Sequence, residues 1–268
     1  MPITDDIRNR LRAVEQERAT RGSEDGLNAK VRAVKEYQQK RFRHTYADLL
    51  GDARYGPACR FFLDELYGPA DFSQRDAQFS RVIPSLVRLF PTDIVNTVAM
   101  LAELHGLSER LDTVMGQHLT GASVDACGYI NAWQATGRRS ERDRQIDLTL
   151  DVAKSLDSLT GKPLLKNGLR LMRPAARAAG LGELQQFLET GFNTFKAMNG
   201  AQDFVATVER RERALGAALF DAASLPPAKK SATSDAYRLL PPAPSAANLE
   251  SSPHISAYPR RSEDGTAL

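Results

Sequence analysis

The stretch LNAKVRAVKEYQQKRFRHTYADLL, residues 27–50, decides the fold class. Val31, Val34, Tyr37, Arg41, Thr45 and Leu49 recur at spacings of three and four. On a helix that spacing collects them into one partly apolar stripe with the charges opposite. Gly51 ends the pattern, and the same grammar repeats downstream. PACRFFLDELY, residues 57–67, opens with Pro57 at a first helical position and stops at Gly68-Pro69. Ser73-Gln-Arg-Asp76 reads as a capping box, a hydroxyl with a carboxylate three residues on. Its helix would bury Phe79, Val82, Ile83, Leu86 and Leu89, with a kink at Pro84. Thr92 caps a long segment reaching about Leu119, with Gly106 as a point of interruption, and Ser123 and Ser140 are the next expected caps. Helices near 163–179, 183–198 and 201–222 follow, parted by Gly180, Gly182 and Gly200. No run alternates apolar and polar residues between hairpin turns. The expectation is an all-α fold, a multi-helix bundle of about eight or nine helices. Its short connections favour antiparallel neighbours.

The rest of the composition agrees with one helical core and two different ends. Of 268 residues, 42% are hydrophobic, too many for a wholly disordered chain, and the net charge of +3 excludes a general polyanion coat. All 11 Phe and the single Trp lie between Phe42 and Phe220, whereas 7 of the 14 Pro lie after residue 223. The expected organisation is a flexible, part-helical segment over 1–26 with a hinge at Gly22, Ser23 and Gly26. A single all-helical domain over 27–223 and a disordered Pro/Ser/Ala-rich tail over 224–268 follow. The tail's Pro-Pro pairs favour extended stretches that a partner domain can hold. No segment approaches the ~20 apolar residues of a membrane span, and the first residues lack the apolar core of a secretory signal, so a cytoplasmic address is expected. Two Cys make no disulfide framework, and Cys59 and Cys127 are expected as free thiols within helices.

The run FFLDELYGPADFSQRDAQFSRVIPSLVRLFP, residues 61–91, followed by LAELHGLSERLD, residues 101–112, resembles a proteobacterial helical family described only as a domain of unknown function. FFLDELYGP, RDAQF, RLFP and LHGLSERLD carry that resemblance, which would cover roughly residues 30–222. It implies a helical fold and transfers no activity and no functional residues.

Motifs for chemistry are sparse. There is no GxxxxGK[ST], GxGxxG after a strand, HExxH, CxxC or GxSxG, so no catalytic residue and no metal site are assigned. Three features remain. The first is His105, which shares a broad helical face with Leu101, Leu104, Leu111 and Val114, with Glu109 one turn on as an expected partner. LAELHGLSERLD also resembles the globin helix that carries the haem-binding His. By that resemblance alone His105 would be an axial ligand, with Leu101 and Leu104 lining the ring. The second is a basic stripe, Lys166, Arg170, Arg173 and Arg177, spaced 4, 3 and 4 within a run from Ser158 to Gly182 that holds five basic residues and no acidic one. It suits an anionic membrane surface, nucleic acid or an acidic partner, or else a solvated face bridged to Asp147, Asp151 and Asp157. The third is the aromatic set Phe61, Phe62, Leu66, Tyr67, Phe72 and Phe79 around Arg75 and Asp76, which builds either a core or a pocket.

The leading functional expectation is a non-enzymatic protein acting by protein–protein contact, in a regulatory role and with a protein partner. A small-molecule or haem-like cofactor binder using His105 comes second, and anionic-surface or nucleic-acid binding through the 162–177 stripe third. An enclosed pocket with His105 pointing into it separates the second from the first.

Overall fold

The computed structural model describes residues 3–66, 72–221 and 238–242. Among them there are eleven α-helices and no strand: α1 Ile3–Ser23, α2 Leu27–Thr45, α3 Ala47–Gly51, α4 Gly56–Phe61, α5 Ser73–Leu89, α6 Thr92–Gln117, α7 Ala126–Thr136, α8 Arg139–Thr160, α9 Pro163–Ala178, α10 Gly182–Ala197 and α11 Gln202–Asp221. The all-α expectation holds, and the count exceeds eight or nine for two local reasons.

The first is a break in the 27–50 stretch at Tyr46. Its ring is fully buried and its hydroxyl donates to Glu212 on α11 at 2.7 Å. The anchored residue adopts φ −116° and ψ 25°, off the helical values, so α2 stops and the five-residue α3 restarts behind it. The second is α1. Residues 1–26 were expected as a flexible segment outside the domain, but α1 is built into it. Ile7, Leu11 and Val14 are buried among Ile83, Val95, Val98 and Ala102 of α5 and α6. The expected hinge is a tight turn in which Gly26 takes φ +71°, a left-handed value that glycine meets without strain.

The 26-residue α6 is the axle of the bundle, packed against α1, α2 and α8. Its approach to α2 is close at Gly116, where an added Cβ would stand 2.7 Å from Val31 Cγ2. On the far side, α4 passes into a π-helical turn at Phe62–Leu66. The wider turn lets three successive side chains, Phe61, Phe62 and Leu63, all point into the core. Phe62 then packs against Phe195 and Phe204 of α10 and α11.

Several expected helix starts move. Ser73, Thr92 and Ser140 lie inside their helices rather than at the caps. The cap of α7 is Asp125, which accepts from Gly128 N at 2.7 Å, not Ser123. Both α5 and α9 run uninterrupted through Pro84 and Pro174. The expected disordered tail over 224–268 lies outside the described residues, except for 238–242. There Leu240 is buried, 1% exposed, with Leu239 beside it, in a cluster formed by Leu119, Ile130, Trp133, Leu215 and Leu219. Cys59 and Cys127 are free thiols, Cys59 buried and Cys127 half-buried. Burial pushes the Cys59 thiol up to about 11, so it stays protonated at neutral pH.

Candidate functional site

One face of α6 carries Leu101, Leu104, His105, Ser108, Glu109 and Asp112, at the three- and four-residue spacing that stacks side chains on one side of a helix. These residues look into a partly open cavity of about 160 Å³ between α1, α2, α5, α6, α8 and α10. Its walls are mostly apolar. Phe62 comes from the π turn, Phe72 and Phe79 from the start of α5, Val152 from α8, and Leu184, Phe187 and Leu188 from α10. Arg75 covers part of the aromatic wall, its guanidinium 4.1 Å from the Phe72 ring centre and 4.3 Å from that of Phe187. Its outer edge holds Glu65 at 3.0 Å. Burial pulls the Arg75 pKa down, and the cation–π contacts and Glu65 keep its charge paired.

The polar end is built by α1, α2, α5 and α6 together. Asp76 Oδ2 accepts from Arg18 Nη1 at 2.9 Å and lies 3.0 Å from His105 Nε2. Arg18 also donates to Ser73 Oγ at 3.3 Å. Glu109 is 3% exposed and gathers three cations: Lys35 Nζ at 2.6 Å, Arg18 Nη2 at 3.5 Å, and Arg21 Nη2. Beside it, Gln38 donates to Asp112 Oδ1 at 3.0 Å.

Nearby charge and burial compete at the three carboxyls here. Burial alone would raise Glu109, but Lys35 and Arg21 outweigh it and bring its carboxyl down to about 2. Burial opposes the same shift at Asp76, and the His105 and Arg18 contacts again win, so Asp76 is lowered. Asp112 goes the other way. It is enclosed on all sides, and desolvation exceeds the help from Lys35 and Gln38, so its pKa rises. The pocket therefore ends in two carboxyls of lowered pKa, Asp76 and Glu109, one of raised pKa, Asp112, and the His105 ring beside Asp76.

His105 lies on the pocket as expected, but with a different partner. Its neighbour is Asp76 from α5, while Glu109 turns to α1 and α2. Asp76 is not a capping residue. It reaches across to α1, and the Ser73 hydroxyl expected to pair with the backbone receives Arg18 instead. Of the aromatic set, Phe62, Phe72 and Phe79 line the pocket and Phe61 stacks on Phe187 at 5.5 Å. The Leu66 side chain and Tyr67 lie outside the described residues. The arrangement does not fit a haem. The His105 nitrogen that would meet the iron is engaged by Asp76, and the cavity is close to the ~150 Å³ that holds one benzene ring. Among the described residues no cluster of His, Cys, Asp and Glu is arranged to hold a metal ion.

Lys166, Arg170, Arg173 and Arg177 all stand on α9, exposed to solvent, and none of them lines the pocket. A bridge to a neighbouring helix forms at Arg173, which pairs with Glu189 of α10, while Asp147 and Asp151 pair with Arg213 and Lys154. No helix among the described residues is long and apolar enough to cross a membrane.

Sequence reasoning missed Arg18, Arg21, Lys35, Gln38 and Asp112. A signal was present: Ile7, Leu11, Val14, Arg18 and Arg21 follow one 4-3-4-3 stripe, so the two arginines occupy core-facing positions. Val98, Ala102, His105, Glu109 and Asp112 repeat that spacing on α6. Polar residues placed on a buried stripe need partners, and here two such stripes face each other.

No curated protein and no solved structure matches the chain. Residues 17–226 match the family described as a domain of unknown function (DUF8198), from the middle of α1 past the end of α11, and the chain belongs to that family.

Proposed function

We propose that the protein binds a small amphipathic molecule in the α6 pocket. One observation carries the reading: a mostly apolar cavity of about 160 Å³ ends in His105, Asp76, Lys35, Glu109 and Asp112. Apolar walls with a few convergent polar groups are the ordinary form of a small-molecule site. The volume suits a single ring or a short acyl chain. The polar end offers a donor at Lys35 and acceptors at Asp76 and Glu109, with the His105 ring held beside Asp76, which suits a hydrogen-bonding head group of no large net charge. This is a reading of binding, and no chemical step is assigned to His105. It takes precedence over protein–protein contact as the primary role. That expectation rested on a helical core without catalytic motifs and on the Pro-rich tail, of which residues 238–242 pack on the body through Leu240.

The test is native mass spectrometry of the purified full chain, with Leu104→Trp as control. Leu104 is half-buried on the pocket wall, so the indole fills the space. The wild type is expected to carry or take up a small organic molecule that the folded variant does not. Equal occupancy in both, or none in either against a panel of aromatic and short-chain acids, amines and alcohols, would sink the reading.

A further inference from the structure

Helix α9 is the least embedded long helix of the described bundle. Among its described side chains only Ala176 is buried. It is held through its C-terminal turn, where Leu181 N donates to Ala176 O at 2.8 Å, and by two side-chain ties to α10. Arg173 Nε reaches Glu189 Oε1 at 2.5 Å, and Gln185 donates to Leu169 O at 2.6 Å. Yet its exposed surface is not that of an ordinary solvated helix. Leu171 is 82% exposed and Met172 43%, and only Leu89 joins them as an exposed large hydrophobic residue in the described chain.

The cations follow a second line. At about 100° per residue, Lys166, Arg170, Arg173 and Arg177 fall in one narrow sector, roughly a quarter turn from Ala176. Leu171, with Pro174 and Ala178, lies on the outward side. Among the described residues, Lys166, Arg170 and Arg177 make no ion pair, and no acidic residue occurs between Ser158 and Gly182. One helix therefore presents a row of positive charge, with Arg173 alone in an ion pair among the described residues, beside the outward-facing Leu171.

We infer that α9 lays the protein on an anionic lipid surface. The charges select the partner's sign and the aliphatic residues select its kind. Lys and Arg draw a helix to acidic headgroups, while an outward leucine such as Leu171 enters the boundary below them. A nucleic acid answers the charges and gives Leu171 nothing to bury in. The helix is also well placed, because α10, which carries it, supplies Leu184, Phe187 and Leu188 to the pocket. The inference does not rest on the pocket being occupied.

The experiment is flotation of the full chain with phosphatidylcholine vesicles, with and without phosphatidylglycerol, over a salt series, and in parallel a duplex DNA binding titration. Two exposed-residue variants accompany it, each checked for an unchanged thermal melt. The triple Lys166→Gln, Arg170→Gln, Arg177→Gln leaves the Arg173–Glu189 pair intact. At roughly a factor of five per cation it should lose about a hundredfold in affinity for anionic vesicles. Leu171→Asp should lose several-fold with all cations present. Binding to anionic but not neutral vesicles, weakened by salt and by both variants, supports the inference. Failure to bind anionic vesicles overturns it. So does binding that responds to the triple variant alone and is matched on DNA, which would make α9 a plain polyanion contact.

Discussion

Replacing Glu109 by Gln tests the polar end of the site directly. The carboxylate is 3% exposed and is shared by Arg21, Lys35 and Arg18. Arg21 is itself only 4% exposed, so it cannot turn to water without moving α1. Removing one partner of a buried ion pair costs about 3–5 kcal/mol, because the remaining charge stays desolvated. An independent route gives the same order. Glu109 is lowered from 4.5 to about 2, and at about 1.4 kcal/mol per unit the folded state gains roughly 3 kcal/mol from its ionisation. For a domain of this size, 3–5 kcal/mol corresponds to a fall in Tm of roughly 6–20 °C. The pH dependence carries the sign. A carboxyl whose pKa is depressed on folding contributes fully above its unfolded value near 4.5, and the contribution drains away as pH falls toward 2. The assay is thermal unfolding of wild type and Glu109→Gln at pH 7 and again between pH 4.5 and 2. The two melting curves should be far apart at pH 7 and converge in acid. A Glu109→Gln protein that melts within a degree or two of wild type at pH 7 would refute the claim that this carboxylate holds α1 and α2 to α6.

Two other substitutions probe the packing. Gly116→Ala gains about 1 kcal/mol in helix propensity but drives a Cβ to 2.7 Å from Val31, an overpacking that costs about 1–3 kcal/mol. The net expectation is a Tm lower by a few degrees, and a higher Tm would show that α2 yields freely. Leu240→Asp should release the docked tail segment, giving up about 2 kcal/mol of buried leucine and exposing the bond after Arg238 to trypsin. Unchanged cleavage and an unchanged melt would mean that the segment adds nothing to the fold.

The helices were legible because their apolar stripes are long. The 73–89 and 92–117 segments show the spacing and form continuous helices near the expected limits. Their starts were less legible, since a Ser followed by a carboxylate three residues on has two uses. In Ser73-Gln-Arg-Asp76 the carboxylate goes to Arg18, fifty-eight residues earlier, and nothing local announces that. The same limit hid the break at Tyr46, which is caused by a hydrogen bond to Glu212. His105 could be singled out because it interrupts a leucine-rich face. Its partner could not, because the i+4 carboxylate Glu109 is the nearer candidate in sequence while Asp76 is the nearer one in space. The short N-terminal apolar stripe was misjudged because its lower half is arginine. Read as solvated charge, Arg18 and Arg21 make a frayed helix. Read as buried charge needing partners, they make an integral one.

That second reading ties folding to binding. The pocket's polar end has no single owner: Arg18 and Arg21 come from α1, Lys35 and Gln38 from α2, Asp76 from α5, and His105, Glu109 and Asp112 from α6. If α1 lifts away, Leu11 leaves the pocket wall and Asp76 and Glu109 lose a shared cation in one step. A ligand that fits the pocket must therefore favour the state with α1 docked, by RT ln(1 + [L]/Kd) for a ligand that binds only that state. At a hundredfold excess over Kd this is about 2.7 kcal/mol, close to the contribution of Glu109 itself. In the proposed binding function, occupancy would thus act on the same helix as the Glu109 cluster and with comparable strength. Protection of α1 backbone amides from hydrogen exchange should accordingly rise with ligand and fall on Glu109→Gln. A ligand that saturates the pocket and leaves α1 exchange unchanged would separate the two and leave α1 a purely structural element.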